Sequence, residues 1–186
     1  MRPVTREEIL DLTAYEKARP EIQARVLEVK GPRRIHLGDA LTFLFENRET
    51  IRYQIQEMVR AERMVKDKDI AHELETYNEL LGEEGELGAA LLIEIDDPRL
   101  RDVKLREWMG LPERLYVRTG SGRKVPATFD SRQVGEERLS SVQYLKFDTG
   151  GDVPVAIGVD HPALKIEVPL SAAQQAALRA DLESDA

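Results

Sequence analysis

The chain has 186 residues, a net charge of −8, 41% hydrophobic and 33% charged residues, and no cysteine. Disulfides, thiol catalysis, zinc–cysteine sites and cysteine-held iron–sulfur clusters are thereby excluded. The longest apolar run, AALLI at 89–93, is far too short for a membrane span, and the opening MRPVTREEIL lacks the apolar stretch of a signal peptide.

A cytoplasmic protein with no membrane partner is expected. Nucleic acid is not expected as a partner either. The basic clusters KGPRR at 30–34 and RLRDVKLR at 99–106 are short. They read as a solvated loop and a solvated helix face, not as the concentrated basic surface that displaces counterions.

In chain order, Thr5 and Glu8 form a capping-box pair, which starts a short helix at Arg6. Ile22, Val26 and Val29 recur at helical spacing over 21–30, with Pro20 suited to a first turn and Gly31-Pro32 as a stop. The period then changes to two. Ile35 and Leu37, then Leu41, Phe43 and Phe45, alternate across Gly38-Asp39, as in a hairpin. Asn47 caps a helix running from Arg48 to about Lys66, with Glu49 in the first turn where the helix dipole favours it. A further helix covers 69–81 and ends at Gly82.

From Glu86 the pattern is β. Strands are expected at 88–95, 114–120, 123–130, 141–148, 153–159 and 163–168. Corners fall at GSG 120–122 and TGGD 149–152. A helix at 98–110 interrupts the first two strands, and Ser171 caps a terminal helix at 171–184. The GSGRK run at 120–124 lacks the spacing of a phosphate loop, and a β-corner explains it. The expected fold is a single α+β domain over 1–186. Residues 1–85 are mainly helical with a hairpin, 86–170 mainly antiparallel strands, and 171–186 the terminal helix. The helical half, with its long polar helix, packs on the sheet.

The run FENRETIRYQIQEMVRAER at 45–63 poses the functional question. At 100° per residue Ile51, Ile55, Met58 and Val59 form a core-facing stripe, while Glu49, Tyr53, Gln56, Glu57 and Arg60 form a separate polar arc. Pairing within the helix is expected: Glu49 with Arg52 and Tyr53, and Gln56 and Glu57 with Arg60. Arg48 and Arg52 sit four apart with like charge, which is mildly destabilising unless a carboxylate such as Glu46 intervenes. Either the arc is solvated, or the sheet covers it and a semi-buried polar site results. In the covered case Glu57→Gln and Arg60→Met should each cost about 1–3 kcal/mol.

The run LFENRETIRYQIQEMVRAER, with ELETYNELL at 73–81 and GVDHP at 158–162, resembles an uncharacterised bacterial family, domain of unknown function 3501. The resemblance spans nearly the whole chain and implies no activity. It does imply an association, because family members often lie in gene clusters beside rubrerythrin-like di-iron proteins and iron–sulfur oxidoreductases. His36 and His72 fall outside the shared pattern. The candidate ligand-binding residues are Glu46, Arg48, Tyr53, Gln56, Glu57, Arg60, Tyr77, Asn78 and His161.

A di-iron carboxylate site needs Glu-x-x-His pairs on two helices. The chain has none, and Asp69-x-x-His72 is the nearest. Glu57 or Glu46 with His161 is a weak candidate for a mononuclear metal site, Glu57 being the one favoured. No cofactor and no tightly held transition metal are expected. His161 lies in an Asp-His-Pro loop, either as a hydrogen-bonded turn residue or as an acid, base or ligand. Two functions fit. One is an accessory protein that works with redox partners and is compatible with self-association. The other is a small-ligand-binding protein or enzyme built on Arg48, Tyr53, Glu57 and Arg60 against His161.

Overall fold

The computed structural model describes residues 1–131, 135 and 137–184. Among these residues five α-helices and eight strands follow one another as α1 (Leu12–Lys30), β1 (Arg34–Leu37), β2 (Leu41–Glu46), α2 (Arg48–Ala61), α3 (Asp67–Asn78), β3 (Glu86–Ile93), α4 (Pro98–Glu107), β4 (Leu115–Thr119), β5 (Lys124–Pro126), β6 (Val142–Asp148), β7 (Pro154–His161), β8 (Leu164–Pro169) and α5 (Ala172–Glu183). The fold is α+β, and every strand pair is antiparallel.

The strands divide into two four-stranded sheets, ordered β1-β2-β3-β6 and β5-β4-β7-β8. Their inner faces share one apolar core. Phe43, Phe45, Leu91 and Phe147 of the first sheet meet Leu115, Val117, Ile157 and Val159 of the second. Phe45 and Phe147 pack as a tilted ring pair with centroids 6.0 Å apart. A bridge between Thr128 and Lys146 joins the segment after β5 to β6.

Strand β2 breaks the alternation seen in β1, because all six of its residues are buried. Its inner face carries Leu41, Phe43 and Phe45. Its other face is covered by the Gly31–Arg33 turn and by the start of α2. A second apolar cluster, built on Ile51, Ile55, Val59, Ile70, Leu74 and Leu81, holds α2 and α3 to the N-terminal segment through Val4 and Ile9.

Several boundaries differ from the sequence reading. Helix α1 begins at Leu12, not beside Pro20, because Asp11 caps it by accepting from the Ala14 N–H at 2.9 Å. The helix tolerates Pro20 in its interior by giving up one N–H donor. Helix α2 ends at Ala61, five residues early. Arg63 adopts a left-handed φ of 50°, and the Met64 N–H bonds back to the Val59 carbonyl at 2.9 Å. That is a Schellman-type end made without glycine. The strand expected over 123–130 shrinks to three residues that end at Pro126, which has no N–H for a ladder. The cluster at 30–34 is not a solvated loop throughout, since Arg33 is buried. Among the described residues no helix is long and apolar enough to cross a membrane.

Candidate functional site

The polar arc of α2 is covered, but by α1 and not by a sheet. The Glu57 carboxylate accepts from Tyr15 Oη at 2.6 Å and from Arg19 Nε and Nη2 at 2.8 and 3.0 Å. The Arg19 guanidinium and the Tyr15 hydroxyl hold the Glu57 carboxyl below its usual range, and burial together with Glu57 raises the Tyr15 phenol. Arg60 donates to Glu16 at 2.8 Å, and Arg25 pairs with Glu49 at 2.6 Å. The partners are thus Tyr15, Glu16, Arg19 and Arg25, all on α1. The intrahelical pairs suggested by i+3 and i+4 spacing are replaced by pairs between helices.

Two amide side chains act as clamps on the N-terminal segment. Gln56 accepts from the Leu10 N–H at 2.8 Å and donates to the Leu10 carbonyl at 3.1 Å. Asn78 does the same at Val4, accepting at 2.8 Å and donating at 2.9 Å. Each amide satisfies both backbone groups of one residue, as a neighbouring strand would. The segment is thereby strapped across α2 and α3. Arg48 pairs with Glu8, whose carboxyl is pulled down to about 2 by the Arg48 hydrogen bond and the Thr5 N–H. Glu8, not Glu46, is therefore the carboxylate that answers Arg48.

Tyr53 lies under Lys30, whose Nζ stands 5.1 Å from the ring centroid. Glu46 is buried and accepts from the Thr50 hydroxyl. Burial pushes its carboxyl up against the opposing pull of Thr50, Lys30 and Arg34. His161 closes β7 and does not join the arc. Its Nδ1 accepts from the Ala163 N–H at 3.2 Å, so Nε2 carries the proton and donates to the Met109 carbonyl at 3.0 Å. Both ring nitrogens of His161 and both oxygens of Glu57 are occupied, so the pair weighed as metal ligands is spent on other groups. Among the described residues no trio of His, Asp or Glu is placed to hold a metal.

These contacts set two different costs. Glu57→Gln is expected to destabilise the fold by about 1–3 kcal/mol, because it strips charge from a node with three donors. Arg60→Met is expected to cost only a few tenths, about 0.5 kcal/mol or less, since Glu16 is more than half exposed. Urea melts of both variants give the comparison. Equal losses would mean that burial does not grade the arc in this way.

Tyr77 belongs to a different feature. With Thr76 and Leu80 it forms one wall of a cleft of about 410 Å³, whose other side is Thr128, Phe129, Tyr144 and Lys146. Three of the chain's ten aromatic side chains meet there. Tyr144 comes from the outer face of β6, and burial raises its phenol, with Tyr77 and Glu46 adding to the effect. Sequence reasoning named Tyr77 and missed Tyr144 and Phe129. The outward position of Tyr144 in the β6 alternation was the available signal.

Residues 67–86 carry eight carboxylates against the single Lys68, so nearly all of the net charge sits on α3 and the turn after it. Arg6 engages Asp67 and Lys146 engages Glu86. Among the described residues Glu73, Glu75, Glu79, Glu83 and Glu84 have no cation partner.

The comparisons with known proteins agree with this architecture. The family described as "Protein of unknown function (DUF3501)" matches residues 3–182. A crystal structure of a novel protein of unknown function from Burkholderia pseudomallei K96243 is similar at a TM-score of 0.90 and 32% identity. The match covers 98% of this chain and 100% of that one. No curated protein matches the chain. This chain therefore belongs to the DUF3501 family of proteins of unknown function.

Proposed function

We propose that this protein acts by binding, as a cytoplasmic accessory protein that docks a basic partner surface on α3 and anchors it in the adjoining aromatic cleft. The observation that carries the reading is the juxtaposition of the two features. An apolar cleft lined by Tyr77, Phe129 and Tyr144 adjoins a helix on which Glu73 and Glu75 have no cation partner among the described residues, while Asp67 pairs with Arg6. Aromatic anchors within a charged rim are the usual make-up of a binding hot spot. The acidic rim would speed encounter with a basic partner and reject acidic ones. A second copy of this chain would bring like charges together at this face, which argues for a different protein as the partner. The gene association implied by the family resemblance points to a redox protein. The other reading, a small-ligand or catalytic site that sets Glu57 and Arg60 against His161, has few free groups to work with, because α1 and the N-terminal segment engage Gln56, Glu57 and Arg60 and His161 bonds elsewhere.

The test is a titration with two purified partners, a rubrerythrin-like di-iron protein and an iron–sulfur oxidoreductase encoded beside family members. Calorimetry at about 20 and 200 mM salt spans a large change in screening. The expected result is binding to one of them that weakens tenfold or more at the higher salt. It should weaken further in the Glu75→Lys/Glu79→Lys double variant and in Tyr144→Ala. Absence of binding at low salt, or binding indifferent to salt and to all three substitutions, would overturn the reading.

A further inference from the structure

A second surface has the opposite charge. At the start of α2, Arg2, Arg25, Arg48 and Arg52 line a cleft of about 590 Å³, in a chain whose net charge is −8. The carboxylates near it are already matched: Glu8 by Arg48, Glu49 by Arg25, and Asp181 by Arg33. Arg2 and Arg52 form no ion pair among the described residues, although the Arg52 charge acts on Glu8. The Nε of Arg48 is buried without a hydrogen-bond acceptor. Among the described residues the cleft therefore holds two guanidiniums without an ion pair and a buried donor without an acceptor, beside a buried Glu49 Oε1 that Arg25 meets as an ion pair.

We infer that this cleft binds a phosphate dianion, either free or as a monoester. Arg48 and Arg52 stand one turn apart on α2, and Glu8, which pairs with Arg48 and also feels the Arg52 charge, offsets only part of their repulsion. Guanidinium forks match phosphate oxygens two at a time. A phosphomonoester carries close to two negative charges near pH 7, which suits several converging guanidiniums better than a monocarboxylate does. The α2 dipole adds its positive end. The Glu49 and Thr50 N–H groups are taken by Asn47, so the helix supplies field and the arginines supply the donors. The volume exceeds what bare phosphate fills and leaves room for an organic group.

The test uses the full chain at low ionic strength, titrated calorimetrically with phenyl phosphate, inorganic phosphate and acetate. Saturable one-to-one binding of a phosphate species is expected, with acetate at least tenfold weaker. Arg52→Gln and Arg2→Gln should each weaken phosphate binding tenfold or more, with the circular-dichroism spectrum and melting midpoint held. Tighter binding of phenyl phosphate identifies an ester as the ligand, and equal binding identifies the free anion. Phosphate binding no tighter than acetate, or binding that survives both substitutions, overturns the inference. The Glu75→Lys/Glu79→Lys variant should bind phosphate as the native chain does, so this result and the partner titration fail independently.

Discussion

Replacing Asp181 by asparagine is expected to cost about 3–5 kcal/mol of folding stability. Asp181 projects from α5 and takes Arg33 in a two-point pair, Oδ2 to Nε at 2.7 Å and Oδ1 to Nη2 at 2.8 Å. Arg33 is 8% exposed and Asp181 5%. Arg33 also donates to the Val29 carbonyl at 2.8 Å, and Asn47, the cap of α2, donates to Asp181 at 3.2 Å. One carboxylate therefore joins the terminal helix to the end of α1 and to the start of α2. Asparagine keeps the shape and leaves a buried guanidinium without its countercharge, which is the expensive half of such a change. Urea melts measure the loss. The double variant Arg33→Met/Asp181→Leu should recover much of it, because well-packed apolar residues can replace a buried ion pair at little cost. A loss below about 1 kcal/mol for Asp181→Asn would place the pair in water, where exposed bridges contribute that little.

That pair also shows where sequence reasoning stops. Local signals were legible. Asn47 as a cap, the Gly38-Asp39 hairpin and the strand at 141–148 each depend on a few neighbouring residues, and each appears in the structure. What was not legible depends on residues far apart in the chain. Arg33 and Asp181 are separated by 148 positions, and no pattern within a single element marks either as buried. The α2 arc was recognised as a unit, but its cover was misjudged for a specific reason. Taking Pro20 as a helix start shortened α1 and removed Tyr15, Glu16 and Arg19 from consideration. Those three residues are the partners that Glu57 and Arg60 use. The candidate set then divided by what each residue touches. Gln56 and Asn78 became clamps, Arg48 joined an arginine cleft, Tyr77 joined an aromatic one, and His161 became a hydrogen-bonded residue at a strand end.

Gly88→Ala is expected to cost about 3 kcal/mol or more, at the upper end of what overpacking produces. Gly88 lies in β3 between Glu46 of β2 and Lys146 of β6. A Cβ there would stand 1.9 Å from the Leu80 carbonyl oxygen and 3.1 Å from its carbon. The obstacle is backbone, so no side-chain rotation relieves it. Either the chain leaving α3 lifts off the sheet or β3 bends away from its partners. Gly31→Ala is the matched control. Gly31 already has a helical φ of −49°, and a Cβ there meets nothing within 4 Å, so the substitution should be neutral or stabilise by up to about 1 kcal/mol through the unfolded chain. The same chemical change is thus expected to be costly at Gly88 and harmless at Gly31. Leu80 is also part of the wall of the aromatic cleft, so Gly88→Ala should weaken partner docking at temperatures where the variant remains folded. If Gly88→Ala melts like the native chain, the segment after α3 does not rest on β3, and the cleft proposed as the anchor loses its wall.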